Sequence, residues 1–75
     1  MTVLDLQGIA SSGGHLVVNG DDYSAFDLKA IALSGRGTKS TLMIKRASKL
    51  SSFDCKSIAS ANPGHVTFDF SEKYR

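Results

Sequence analysis

The chain repeats itself, and a repeat is the strongest constraint a short sequence can place on its own fold. Ser24 to Lys45 reads SAFDLKAIALSGRGTKSTLMIK, Ser51 to Phe70 reads SSFDCKSIASANPGHVTFDF, and Thr2 to Asn19, TVLDLQGIASSGGHLVVN, is a third copy of the same pattern. Each unit opens on Ser or Thr, has Asp three residues on, continues through Ile-Ala, breaks at glycine and closes on a short run of alternating apolar residues. A unit this small cannot bury its apolar side alone, so the copies must stack and share a core.

Thr2, Ser24 and Ser51 stand three residues before Asp5, Asp27 and Asp54. A hydroxyl at such a place accepts an orphan N–H of a helix's first turn, and the acid can reach back to the cap, so the spacing predicts three helix starts. After each start, apolar residues fall at i, i+3 and i+4: Leu6, Ile9, Ala10; Leu28, Ile31, Ala32; Cys55, Ile58, Ala59. This is one stripe of a short helix and a poor fit to strand alternation. Cys55 is read as a small core residue where its sisters carry leucine. Gly8 costs the first helix ~1 kcal/mol against alanine, which leaves a strand over Thr2 to Gln7 as the competing reading. A second recurring apolar position, Leu4, Phe26 and Phe53, is followed four residues later by Gly8, Ala30 and Ser57. The bulky side chains are expected to fill gaps between neighbouring helices that the small ones let approach.

Breakers end each helix: Gly13-Gly14, Gly35-Arg36-Gly37 and Asn62-Pro63-Gly64. Glycine supplies left-handed C-caps and proline cannot continue a helix. The runs that follow, HLVVN, TLMIK and HVTFDF, alternate at period two and read as strands. Leu16, Val18, Leu42, Ile44, Val66, Phe68 and Phe70 then face the helices. His15, Val17 and Asn19, Thr41, Met43 and Lys45, and His65, Thr67 and Asp69 face away, with Asn19, Lys45 and Asp69 forming a polar column in which Lys45 and Asp69 pair.

Helix and strand in strict alternation make consecutive strands parallel, because each crossover contains a helix. The expected fold is therefore α/β: three helix-strand repeats, over residues 2–19, 24–45 and 51–70, forming one two-layer, parallel-sheet, solenoid-like domain across residues 1–75. An α/β sandwich with reordered strands is the alternative.

Composition narrows the class further. A chain of 75 residues buries only ~60% of the surface its unfolded form exposes, which leaves a thin core. One cysteine, Cys55, allows neither an internal disulfide nor a cysteine-based zinc site. The start, MTVLDLQG, has no basic stretch before an apolar run, so neither a signal peptide nor a membrane anchor is expected and the cytoplasm is the default location.

The net charge is +2, but Leu28 to Phe53 holds Lys29, Arg36, Lys39, Lys45, Arg46 and Lys49 and no acid. The basic middle unit, residues 29–49, carries the alternative function, nucleic-acid or anion binding, and Arg36 and Lys39 form a basic loop able to contact an anion. No aromatic residue lies between Arg36 and Lys49 for base stacking. The segment SGRGTKST is one glycine position short of a phosphate-binding loop, and the order helix, loop, strand is wrong for one. His15 and His65 begin strands two apart, roughly 9 to 10 Å at ~4.8 Å per strand, too far to share a metal. No titratable groups converge, so an enzyme is not expected, nor is a cofactor. The expected function is a non-catalytic protein-interaction or structural module. Its partner surface is the open sheet face: Val17, Met43 and Thr67, flanked by His15, His65 and Lys45. Neither outer strand carries a blunting lysine or proline, so pairing with a second copy as a symmetric dimer is the other expectation.

Overall fold

The computed structural model describes residues 1–71 and contains three helix-strand units in succession: α1 (Val3–Ser11), β1 (Leu16–Asn19), α2 (Ala25–Ser34), β2 (Leu42–Lys45), α3 (Ser52–Ala61) and β3 (Val66–Phe68). Single 3-10 turns, Gly20–Asp22 and Ala47–Lys49, carry the chain from β1 to α2 and from β2 to α3. Every helix begins one residue after its expected cap. Ser24 Oγ accepts the Asp27 N–H at 3.1 Å and Ser51 Oγ accepts the Asp54 N–H at 3.0 Å. At Thr2 the box is reciprocal, since Asp5 Oδ2 also accepts the Thr2 N–H at 3.1 Å. That second bond holds the Asp5 carboxyl below the usual carboxylate range, aided by the Thr2 hydroxyl. The capped start overcomes Gly8, and Thr2 to Gln7 is helix rather than strand.

The three strands are parallel in the order β1-β2-β3, which sets aside the reordered sandwich. Leu16, Leu42 and Val66 lie in one row, Val17, Met43 and Thr67 in the next, and Val18, Ile44 and Phe68 in the third. The helices lie side by side over one face, α1 against α2 and α2 against α3. Their inward stripe meets Val18, Leu42 and Ile44 in a single cluster that includes Leu6, Leu28, Ile31 and Ile58.

The middle unit is the dry one: Leu28 and Ile44 are fully buried, because each has a neighbouring unit on both sides. At the ends part of the inward surface opens, although Leu6, Val18 and Ile58 stay buried. Val3, Ile9 and Leu16 in the first unit, and Cys55, Val66 and Phe68 in the third, are only partly covered. Cys55 is half-buried, not a sealed core residue, on the outermost of the described helices. Partial burial, with the Asp54 charge beside it, pushes its thiol pKa up.

The loops before the strands tie the units together. Ser40 Oγ donates to the Gly14 carbonyl, and Asn62 Nδ2 donates to the Ser40 carbonyl at 2.9 Å, both from side chains of residues that are 2% exposed. Gly14, Ser40 and Gly64 occupy the same place in the three units, two residues before the strand. Thr38 Oγ1 adds a bond to the Ala10 carbonyl at 2.7 Å. The middle breaker differs from expectation: Gly35 is right-handed, and the left-handed residues there and after β2 are Lys39 and Arg46. Gly35 is needed for room, since a Cβ would stand 2.8 Å from that of Ser40. Lys45 and Asp69 do not pair either. The Asp69 carboxylate accepts the Ser71 hydroxyl and the Ser71 N–H, which pull its pKa down, and Lys45 acts on it only as a weaker, more distant charge. The ion pair between units runs instead from Arg46 Nε to Asp21 Oδ2, at 2.7 Å.

Candidate functional site

Strand parity sets the first candidate surface. Leu42 and Ile44 turn inward and are buried, so Val17, Met43 and Thr67 turn outward as one row across all three strands. Val17 is 63% exposed and Thr67 is exposed, while Met43, between them, is half-buried. His15 and His65 each stand one residue before their strands, on either side of Thr41, and do not meet. His15 Nδ1 accepts the Thr41 N–H at 3.0 Å, which places its ring proton on Nε2. His65 Nδ1 lies 3.0 Å from the Pro63 carbonyl and donates to it. Lys45 is exposed at the far end of β2. The structure brings the expected row together, and its apolar content is one exposed valine beside a half-covered methionine.

The basic residues of the middle unit do not gather. Lys29 is on α2, Arg36 and Lys39 lie in the loop before β2, Lys45 ends β2, and Arg46 and Lys49 follow it. β2 separates the two groups by its whole length, about 13 Å at ~3.3 Å per residue, and Arg46 is engaged by Asp21.

The larger apolar surface is on the helices. Leu4, Phe26 and Phe53 are 77%, 80% and 78% exposed, and Leu33 is 53% exposed. They do not fill the gaps between helices as their spacing suggested. At 3.6 residues per turn each residue advances 100°, so the position two before Leu6 sits about 160° round the helix, on the side away from the sheet. That arithmetic was available from the sequence. Gly8, Ala30 and Ser57, one turn later, fall on the same outer side, so each helix presents a bulky residue followed by a hollow.

Between α1 and α2 the hollow is bridged, because Gln7 Nε2 donates to Ser34 Oγ at 3.2 Å. Lys29 and Lys56 stand where Gln7 does in their own helices, each five residues after the cap. The groove between α2 and α3 stays open there. It has one recess of about 450 Å³ lined by Lys29, Leu33, Phe53, Lys56 and Ser57 among others, and a second of about 240 Å³ that Phe26, Lys29 and Ser57 help to form. The result is an apolar trough lined by Lys29 and Lys56, with Asp54 on the wall of the smaller recess.

Among the described residues, no three or more His, Cys, Asp or Glu side chains are placed to hold a metal ion. No helix among them is long and apolar enough to cross a membrane. Compared with protein-family models, with curated proteins and with solved structures, the chain matches none of them.

Proposed function

We propose that this is a non-catalytic interaction module that holds a segment of another protein in the groove between α2 and α3. The observation that carries the reading is the outward apolar residue at the same place in all three units, Leu4, Phe26 and Phe53, each more than three-quarters exposed. Scattered surface apolars have no reason to recur in register, and a monomer gains nothing from exposing two phenylalanines. The groove suits an amphipathic segment: apolar side chains seat against Phe26, Leu33 and Phe53, and carboxylates beside them meet Lys29 and Lys56.

The open sheet face around Val17 and Met43 is the smaller rival surface. Cross-linked capture from cells separates the two. The Phe26→Ser, Phe53→Ser double variant should lose the partners held by the parent, while Val17→Lys with Met43→Asp should keep them. The groove assignment fails if the helix-face variant retains every partner, and moves to the sheet if only the second variant loses them. Nucleic acid recovered in place of protein, with capture falling steeply as salt rises, would overturn the protein-binding reading altogether.

A further inference from the structure

We infer that the chain also binds a second copy of itself head to tail, with β3 of one molecule pairing in parallel with β1 of the next and α3 packing against the following α1. The template for this contact is already present twice inside the molecule. Leu16 N–H donates to the Thr41 carbonyl at 2.9 Å, and one unit later Leu42 N–H donates to the His65 carbonyl, also at 2.9 Å. In a parallel pair alternate residues bond to each side, so the His15, Val17 and Asn19 backbone groups point out from the free edge of β1. By the same alternation, with Asp69 N–H donating to the Ile44 carbonyl at 2.9 Å, Val66 and Phe68 point out from the free edge of β3. These edges are complementary: Val66 N–H is set to donate to a second copy's His15 carbonyl as Leu42 does to His65.

The side chains agree with the backbone. Half-covered apolar residues stand at the two ends, Cys55, Val66 and Phe68 at one and Val3, Ile9 and Leu16 at the other, and all of these but Val3 occupy positions that the middle unit buries. A stacked-repeat protein ordinarily closes its ends with polar capping units, and among the described residues both outer strands of this sheet are left with half-covered apolar side chains. The loop bonds also continue. The Gly64 carbonyl is the next acceptor after those of Gly14 and Ser40, and Ser12 stands in the first unit where Asn62 stands in the third, two residues before Gly14 and Gly64 respectively. A head-to-tail contact leaves a free end on each side, so assembly is open-ended, whereas a two-fold dimer stops at two.

Two edge-blocked variants of the full chain test this. Val17→Pro removes an N–H from the β1 edge and Val66→Pro one from the β3 edge, and neither touches a bond to β2. In sedimentation from micromolar to millimolar concentration the parent's mass should rise above twice 8.0 kDa. Each variant alone should remain a single chain, and their equimolar mixture should form a dimer and stop there. A parent that stays a single chain throughout overturns the inference. So does a dimer from Val66→Pro alone or from Val17→Pro alone, because each is the mark of a two-fold contact through one edge. Should a proline unfold its variant, amide exchange on the parent decides. Concentration must slow exchange at Val66, Phe68, Val17 and Asn19 together, and slowing at one edge only, or at neither, refutes it.

Discussion

Leu28→Ala and Leu6→Ala make the same chemical deletion at equivalent places, four residues after the caps Ser24 and Thr2, and the structure requires them to differ in cost. Each removes three carbons, about 2.4 kcal/mol of transfer free energy at ~0.8 kcal/mol per carbon. Leu28 is fully buried, with α1 on one side of its helix and α3 on the other, so the space left behind cannot collapse. The cavity adds to the transfer cost and brings Leu28→Ala to about 4 kcal/mol, within the ~2–5 kcal/mol such deletions span. Leu6 is 6% exposed on a helix with no described element beyond it, so side chains or water can enter and the cost stays near ~2.5 kcal/mol. A domain of this size has only about 4–11 kcal/mol in all, so the first variant should lose a clearly larger share of its stability than the second. Urea titration followed by far-ultraviolet circular dichroism, at concentrations where the chain sediments singly, measures both. Costs equal to within about 0.5 kcal/mol, or a larger one at Leu6, would show that the middle unit is not more tightly enclosed than the first.

Ser24→Ala should lower stability by about 0.5–2 kcal/mol in the same titration, and no change would mean that α2 does not depend on its cap. Gly35→Ala should be destabilising although the backbone there is right-handed, because the added carbon meets Ser40, and an unchanged midpoint would show that the loop can yield. The Asp5 and Asp69 carboxyls lie below their ordinary values in the folded chain, so their contribution is complete above the usual carboxylate range and is lost as pH falls through the folded values. Replacing both with asparagine should flatten the fall in the urea midpoint between neutral and acid pH, and an equally steep fall in the variant would refute the assignment. Because burial and Asp54 raise its thiol pKa, Cys55 should react with a thiolate-selective reagent at neutral pH more slowly than free cysteine, and an equal or faster rate would refute that reading.

Nearly everything local was legible in the sequence. The caps at Thr2, Ser24 and Ser51 mark the helix starts because a hydroxyl three residues before an acid has a specific hydrogen-bonding job. The outward row of Val17, Met43 and Thr67 follows from parity alone, since buried Leu42 and Ile44 leave no other face for it. What the spacing concealed was the surroundings of a side chain. Leu4, Phe26 and Phe53 recur as core residues do, and only the angle round the helix shows that they face outward. Cys55 matches its leucine sisters in position but is half-buried where Leu6 and Leu28 are buried, and the repeat pattern alone does not show that difference. Arg46 was legible as a charge, yet its contact with Asp21 depends on two turns being brought together by the stacking.

The loop bonds at Gly14, Ser40 and Asn62 solve a problem that the apolar pattern leaves open. Alternation detects a strand that slips by one residue, since every side chain would change face, but a slip of two residues preserves both faces. The pleat is blind to that error. The side chains of Ser40 and Asn62 are not, because each is buried and has its partner at one fixed point of the preceding unit. A strand displaced by two would strand a hydroxyl and an amide away from water, at about 1–3 kcal/mol apiece. On a sheet whose strands are three or four residues long that penalty is large, so two polar side chains act as the vernier by which one unit is set against the next.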